Sequence, residues 1–281
     1  MDALIDKGNN NLTYASELNL LVKDIKVSNA TLEQNNQSIK GSSRSIDNGA
    51  TYSSKSIVIE AWGYSKNEYD FSIHRDLIYS VFADRTPFYI SEVYSLIEGE
   101  FQRPGESEGY SLLDLSKGGF TYRQRYKVRL DGDISYNFEG KNGNGMIASV
   151  EIPLITVELP FGESEARDTI VQADGKVNYE GSTDCNQLES PFILRATALK
   201  AGTDCNFTIQ DRTLTYKGKY GVNDVFNFAG SYNTLNEVNI NDKTNYQYFI
   251  FNPSAIKFNR VYCSKPTDFK LEVLGLKNLY V

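Results

Sequence analysis

One short pattern in the sequence could carry nucleophilic chemistry, the segment GESEG at Gly105–Gly109. It matches G-x-S-x-G, in which the serine lies on a strained turn between a strand and a helix. Here Pro104 precedes the pattern and Tyr110 follows it, inside a polar, glycine-rich segment. The single histidine, His74, lies before Ser107, whereas that hydrolase fold orders serine, acid and histidine along the chain. We therefore expect no catalytic serine here.

The residues that could bind a metal are few and scattered. The cysteines are Cys185, Cys205 and Cys263, an odd number without metal-ligand spacing, and we expect reduced thiols. The segment Asp131–Asp133 resembles the start of a calcium loop, but the residues after it break the ligand pattern. A tight turn explains it better. The sequence thus predicts no catalytic residue, no metal site and no cofactor.

The composition predicts a soluble, β-rich protein. With 281 residues, the chain is long enough for two domains with hydrophobic cores. The 19 tyrosines and 15 phenylalanines favour strands over helices. No apolar run is long enough for a transmembrane helix, and the first residues do not resemble a signal peptide. We therefore expect synthesis in a cytoplasm and no contact with a membrane.

The net charge of −7 is unevenly distributed. Residues 1–163 hold 16 basic and 23 acidic residues, whereas residues 164–281 hold 13 of each. Because an acidic surface repels phosphate, we expect no specific or tight binding of nucleic acid. The acidic part could line a channel through which DNA passes, or it could be an ordinary solvated face.

One segment of the first part has a helical period. Across residues 68–84, Ile73, Leu77 and Val81 recur every four residues, with Ile78 and Phe82 beside them, which predicts an amphipathic helix with an apolar stripe. Asn67 or Asp70 could cap its start. His74 lies near the edge of this stripe, and we expect it to be a packing or surface residue.

The rest of the first part predicts strands. Residues 18–27 and 56–62 are apolar-rich strands, and the latter places Ile57, Ile59 and Ala61 on one face. Residues 28–52 are polar and predict loops with a short strand around Ile39. Residues 98–125 predict an extended arm. Two strands on either side of Asp131 predict a hairpin, and a turn at 141–145 precedes another strand.

Residues 177–281 predict strands only. The predicted strands, separated by Gly, Asn and Asp turns, are 192–197, 205–210, 213–216, 224–228, 237–240, 246–251, 255–258 and 269–274. Short strands at this spacing are typical of a β-sandwich or a jelly roll. The fold class is thus mainly β: an N-terminal sandwich-like domain, residues 1–160, with one helix and an arm, and a C-terminal sandwich, residues 161–281.

A carbohydrate-binding module for host adhesion is the alternative function. Sugar rings stack on exposed aromatic side chains, and Trp offers the largest face. The single tryptophan, Trp62, lies in the first part, so a sugar site in the second would depend on Tyr and Phe. A cell-wall enzyme is a third possibility, which the lack of catalytic patterns disfavours.

Read in order, about the first 165 residues resemble the distal tail proteins of siphophages. The segments that carry the resemblance are LNLLVKDIKVSNATLE, IKGSSRSIDNGATYSSKSIVIEAW, YDFSIHRDLIYSVFADRTPFYI and RYKVRLDGDISYNFEGKNGNGMIASVEIPL, ending at LPFGES. The second part is similar to the galectin-like sandwich that this family carries at that point.

The resemblance implies a structural protein of the virion. It implies a homohexameric ring that joins the tail tube protein to the tail tip or baseplate. First domains would form the ring around the DNA path, and second domains would hold receptor-binding, baseplate or tail-associated proteins. A ring needs head-to-tail contacts that close by rotation, and we expect the 98–125 arm to provide one.

Overall fold

A computed structural model describes residues 1–9, 11–41, 43–95, 119–142 and 145–281. The chain divides into two compact units, Met1–Gly162 and Glu163–Val281. Both are built almost entirely of antiparallel strands, which confirms the predicted mainly β class. Within the described ranges, no helix has the length and apolar character needed to cross a membrane.

The described residues of unit 1 form a long antiparallel sheet and an α-helix. Its strands, in chain order, are β1 Asp2–Asp6, β2 Leu12–Tyr14, β3 Leu20–Val27, β4 Leu32–Ser38, β5 Ser45–Tyr52, β6 Ser56–Ser65, β7 Phe88–Ser95, β8 Gly119–Leu130, β9 Ser135–Asn142 and β10 Gly145–Thr156. The sheet order is β2-β1-β7-β8-β10-β6-β3, β9 pairs with β10, and β4 pairs with β5 in a separate two-stranded sheet. A short 3-10 turn, Ala15–Leu18, precedes β3.

Buried and outward-facing side chains alternate along β6 and β10, and the buried ones contribute to the core of unit 1. Ile57, Ile59 and Ala61 are fully buried, which confirms the face predicted for β6. Ala148, Val150, Ile152 and Leu154 of β10 are fully buried on the same side. Since side chains alternate across a strand, the residues between them face away from this core.

Helix α1, Glu68–Phe82, packs on the core side against β6 and β10. Its start is confirmed: the Asp70 amide donates to Asn67 Oδ1 at 3.0 Å. The predicted apolar side is confirmed at Ile78 and Phe82, which are fully buried, but it was wrong at Ile73 and Leu77, which are 50% and 41% exposed. The buried stripe is His74, Ile78 and Phe82. The exposed and the buried residues recur at the same spacing. The sheet covers the set that contains His74 and Phe82.

Two further local predictions were wrong. β8 and β9 do not form a hairpin around Asp131, because β9 pairs with the first half of β10 and β8 with its last three residues. β9 pairs instead with β10 from Gly145↔Asn142 onward. The turn predicted at 141–145 falls between these two strands, and its residues 143 and 144 lie outside the described ranges. Residues 28–52 are not loops, because β4 and β5 pair from Leu32↔Tyr52 to Ser38↔Ser45, and Ile39 lies beyond the end of β4. Backbone hydrogen bonds pair this polar segment into a hairpin, although apolar and polar residues do not alternate along it.

The strands of the second part, from the division onward, are β11 Gly162–Glu163, β12 Arg167–Ile170, β13 Lys176–Asn178, β14 Cys185–Asn186, β15 Ile193–Ala198, β16 Gly202–Ile209, β17 Arg212–Tyr220, β18 Val225–Phe228, β19 Asn233–Leu235, β20 Val238–Asn239, β21 Ile250–Phe251, β22 Phe258–Cys263, β23 Phe269–Leu276 and β24 Leu279–Tyr280. The predicted strand at 255–258 was wrong: β22 begins where it was expected to end. A 3-10 turn, Asn241–Lys243, is the helical segment described in unit 2.

Two sheets of unit 2 pack against each other through aromatic side chains. The larger has the order β12-β23-β15-β18-β19-β20, and the smaller has the order β13-β22-β16-β17. Phe207 of the smaller sheet lies 5.9 Å and 4.8 Å from the rings of Phe226 and Phe228 of the larger. Such ring pairs across two sheets form the interior of a sandwich.

Candidate assembly interface

The G-x-S-x-G pattern, where no catalytic serine is expected, and the predicted arm fall largely on the part of the chain that the structure does not describe. Gly105–Gly109 lies there entirely, as do residues 98–118 of the arm. The last residues of the predicted arm, 119–125, belong to β8 and pair with β7. In the described ranges, no three His, Cys, Asp or Glu side chains are grouped so as to hold a metal ion.

His74 is a buried structural residue with both ring nitrogens occupied. Nε2 lies 2.6 Å from the carbonyl oxygen of Leu18, so it carries the hydrogen, and Nδ1 lies 2.7 Å from the Tyr136 hydroxyl, which donates to it. Burial lowers the pKa of His74, against the hydrogen bond to Leu18, which favours the charged ring. The neutral ring thus links α1 to β9 and to the turn before β3.

The three cysteines are free and buried. Burial raises the pKa of Cys185 to about 11 and that of Cys205 to about 12, and it raises the pKa of Cys263 as well. Because the thiolate is the reactive form, these thiols behave as small apolar core residues at neutral pH.

The most unusual surface of unit 1 is a two-stranded ribbon that extends beyond the sheet. β3 and β6 pair from Leu20↔Gly63 to Val27↔Ile57. The ladder continues from the Ser28 amide to the Ser56 carbonyl (2.9 Å), then from Thr31 to Ser54 (2.8 Å), and on into β4 and β5. We call this continuous structure the ribbon, with β3 and β6 as its proximal half and β4 and β5 as its distal half.

Every residue of β4 and β5 is exposed. The root of the distal half is held by Tyr52, whose ring lies edge-on to Phe161 at 5.6 Å. At the other end Ile46, opposite Gln37, is 48% exposed, and Ile39 is 45% exposed. We call the distal end, residues 37–46, the tip. It presents two isoleucines to solvent beside the cationic Lys40 and Arg44.

At the opposite end of the ribbon, the outer face of the sheet forms an apolar groove of about 590 Å³. Its lining residues are Ser16, Asn19, Leu20, Leu21, Trp62, Tyr64, Glu139, Gly140, Lys141 and Ile147. Cross-strand pairing places Leu21 beside Trp62, and Tyr64 beside Ile147. Leu21 and Tyr64 are 42% and 40% exposed. We call this surface the groove.

Trp62 lines the groove. The sequence pattern did not predict this surface. The amine of Lys23 lies 4.3 Å from the centre of the Trp62 ring, so a cation covers part of the aromatic face. A signal for this surface was present in β6: Trp62 and Tyr64 occupy the positions that alternate with the buried Ile59 and Ala61. Large aromatics on the outward face of a strand indicate an interaction surface.

Unit 2 carries a smaller and more polar groove on its six-stranded sheet, of about 510 Å³. It is lined by Arg195, Thr197, Val225, Asn227, Asn236, Glu237 and Glu272. Arg195 Nε donates to Asn227 Oδ1 at 3.0 Å, and Glu237 has a left-handed backbone with φ 68°. The lining contains no aromatic side chain, so a sugar ring would find no stacking platform in it.

Comparison with known proteins gives a family match and a fold match. Residues 15–156 match the family model described as phage tail protein RIFT-related domain. The structure resembles the SPP1 Dit (gp 19.1) protein, described as a paradigm of the hub adsorption apparatus in phages that infect Gram-positive bacteria. The TM-score is 0.64 at 11% identity, over 100% of this chain and 99% of that one. At this identity the likeness establishes the fold alone.

Two baseplate structures of phage P2 in the activated conformation, with Ca and with Sr, align more loosely. Their TM-scores are 0.38 and 0.40 at 10% and 9% identity, over 96% of this chain and 97% of each of those chains. No curated protein is significantly similar to the chain in sequence.

Proposed function

Because this chain belongs to the family of phage tail proteins with the RIFT-related domain, we propose that it is a structural hub of a bacteriophage tail tip or baseplate. In this role six copies form a ring that joins the tail tube to the tail-tip and receptor-binding proteins. The observation that carries the proposal is the family match over residues 15–156, which spans the helix, most of the sheet, the ribbon and the groove of unit 1.

The surfaces of unit 1 support a role in assembly rather than in catalysis. The ribbon tip exposes apolar side chains, and the groove offers an apolar surface at the other end of the same strands. Exposed apolar surfaces do not stabilise a monomer in water, whereas a protein that packs against copies of itself and against neighbours buries them. Both ring nitrogens of His74 are hydrogen-bonded and the three cysteines are buried, so neither the histidine nor the thiols are placed to react with a substrate.

In this proposal unit 2 projects from the ring and holds other tip proteins. The two sheets of its sandwich pack through aromatic rings, and the groove on its six-stranded sheet is polar. Direct recognition of host saccharides by unit 2, the alternative function, gains little support from this groove, because its described lining lacks an aromatic ring. A glycan array with host wall saccharides tests that alternative, and tight, specific binding would favour it.

The mass of the purified protein in solution tests the ring. Six copies of 31.6 kDa give about 190 kDa by light scattering after size-exclusion chromatography, and electron microscopy of that fraction should show rings. A protein that stays at 31.6 kDa at every concentration, and does not join assembling tails, would overturn the proposed function.

A further inference from the structure

We propose that Asn48, in strand β5 of the distal half, is a site of spontaneous deamidation, in which the backbone nitrogen of Gly49 attacks the side-chain amide of Asn48 and displaces ammonia. The reaction is intramolecular, so it needs no enzyme and no cofactor. It converts a neutral side chain of the ribbon into a carboxylate. The inference goes beyond the proposed function and does not depend on the ring, because each step takes place within one chain.

The bonds that form and break are confined to two adjacent residues. The Gly49 nitrogen loses its proton to a base and bonds to Cγ of Asn48, and the Asn48 side-chain nitrogen takes up a proton and leaves as ammonia. The product is a cyclic succinimide. Water opens this ring at Cγ to give aspartate, or at the main-chain carbonyl to give isoaspartate, in which the main chain runs through the side chain. Because both reacting groups belong to one short segment, their effective concentration is high.

Gly49 leaves the attacking nitrogen open to its target. A Cβ added at Gly49 would meet nothing within 4 Å, so no neighbouring group packs against this position. Its φ of 89° lies in the left-handed region, which glycine adopts without steric cost. Asn48 and Gly49 are both exposed, so water reaches the amide and the succinimide. The two residues thus have the freedom and the solvent that the reaction requires.

Strand pairing is irregular at this pair of residues. Asn48 and Gly49 of β5 together face Asn35 of β4, because the register shifts between Gln34 and Asn36. Such a bulge disrupts the hydrogen-bond ladder locally. A regular ladder would hold the main chain extended and slow the attack, whereas here the backbone is free to bend, since no side chain of either strand is buried.

A carboxylate lies beside the proton that must leave. The Gly49 N–H donates to Oδ1 of Asp47 at 2.9 Å. An aspartate side chain that accepts from the amide two residues later forms a tight local turn, and this turn keeps the carboxylate next to the attacking nitrogen. Asp47 therefore acts as the proton acceptor when the Gly49 nitrogen bonds to Cγ of Asn48.

The product changes the charge of the distal half. Residues 32–52 contain two acidic side chains, Glu33 and Asp47, and two basic ones, Lys40 and Arg44, so their formal charges cancel. Aspartate or isoaspartate at position 48 adds one negative charge. Isoaspartate also lengthens the main chain by one carbon at the bulge, which alters the register toward the tip. New and aged protein therefore differ at a defined place on the ribbon.

Peptide mapping of the aged full-length protein tests the site. Trypsin cleaves after Arg44 and Lys55, and the peptide 45–55 contains Asn48 as its only asparagine. Incubation at neutral pH should raise the mass of this peptide by about 1 Da and split it into two chromatographic species, aspartate and isoaspartate. Asn35 and Asn36, exposed on the paired strand but followed by larger residues, are the internal controls and should react at least about tenfold more slowly. Equal rates at the three positions would overturn the proposal.

The rate in the folded protein tests the contribution of the bulge. A synthetic peptide of residues 45–55 reports the rate without structure. The folded protein should deamidate at Asn48 within about threefold of that rate, because the ladder does not hold the pair. A folded protein in which Asn48 is protected by a hundredfold or more, as in a regular strand, would contradict the inference.

Two glycine variants separate the attacking residue from the hairpin as a whole. Gly49→Ala places a Cβ beside the attacking nitrogen and should slow the reaction about tenfold or more. Gly41→Ala is the matched control, because Gly41 is also left-handed, with φ 80°, and its added Cβ also meets nothing within 4 Å. It should leave the rate at Asn48 unchanged. If Gly49→Ala deamidated as fast as Gly41→Ala, the Gly49 nitrogen would not be the nucleophile.

The pH profile of Asp47→Ser tests the proton acceptor. Serine keeps an oxygen that accepts from the Gly49 amide but removes the carboxylate, so the rate at neutral pH should fall about tenfold. Hydroxide then has to take the proton, and the rate of the variant should rise more steeply than that of the wild type between pH 6 and pH 8. Parallel profiles of equal height would exclude Asp47 as the acceptor. Because the reaction takes place in a single chain, failure of the proposed ring would leave these results unaffected.

Discussion

The proximal and distal halves of the ribbon share their antiparallel pairing and their hydrogen-bond ladder, yet they differ completely in burial. In the proximal half, Leu20, Val22, Ile57, Ile59 and Ala61 are buried on one face. In the distal half no residue of either strand is buried. The difference follows from sequence, because apolar residues alternate along β3 and β6, whereas β4 is polar at almost every position.

Paired strands are usually held both by backbone hydrogen bonds and by the burial of apolar side chains. In the ribbon, the two contributions are separated. Backbone hydrogen bonds give the ribbon its shape along its whole length, and each contributes only about 1 kcal/mol net. Apolar burial stabilises the proximal half within the chain. The distal half has the same backbone hydrogen bonds, but none of its side chains is buried. Its exposed apolar side chains can therefore contact another molecule. Three predictions test this distinction.

The largest expected effect comes from the same substitution in each half. Ile59→Ala removes a fully buried side chain and should lower the free energy of unfolding by about 2–5 kcal/mol. Ile46→Ala, at 48% exposure, should change it by less than about 0.5 kcal/mol in the monomer. Urea denaturation of the two variants measures both values. Equal losses would mean that the distal half is covered within its own chain.

A smaller effect is expected where helix α1 meets the proximal half. A Cβ added at Gly63 lies 3.1 Å from His74 Cε1 and 3.2 Å from Val150 Cγ2. Neither neighbour can yield, because His74 is held by two hydrogen bonds and Val150 is fully buried. Gly63→Ala should therefore cost about 1–3 kcal/mol in thermal or urea unfolding.

Gly140 provides the matched control, because a Cβ added there meets nothing within 4 Å. Gly140→Ala should be neutral or slightly stabilising, since alanine restricts the unfolded chain. If Gly63→Ala were as harmless as Gly140→Ala, the close packing of α1 on the proximal half would be refuted.

The smallest expected effect is a pH dependence at this same contact. Burial lowers the pKa of His74 below its ordinary value of 6.5. As the pH falls through 6.5, the histidine binds a proton in the unfolded chain but not in the folded chain. The free energy of unfolding therefore decreases. The slope is at most about 1.4 kcal/mol per pH unit, and the loss ends below the folded-state pKa.

The comparison of wild type with His74→Gln isolates this contribution. Unfolding in urea at several pH values from 7.5 down to 5.5 should give a shallower slope for the variant, because the carboxylates titrate alike in both proteins. Identical slopes would show that His74 is solvated and titrates normally in the folded chain.

Local pattern predicted the helix and the buried face of β6, and it narrowed the cap to Asn67 or Asp70, because these depend on period and on neighbouring residues. It failed at the pairing of β8 and β9, because β10 is long enough to pair with both at different positions. It also failed at Ile73 and Leu77 of α1, where two stripes of equal period compete. The galectin-like character of unit 2 and the division into a ring domain and an outer domain remain predictions.

The sequence by itself determined the mainly β class, the helix at residues 68–82 and the likeness to phage tail proteins, since alternation, composition and the order of segments are properties of the linear chain. Only the tertiary structure decided that polar residues 32–52 form the distal half of a ribbon, and that Leu21, Trp62, Tyr64 and Ile147 converge on one groove. These residues come from three strands distant in sequence, and their proximity depends on the register of antiparallel pairing, which side-chain pattern alone does not specify.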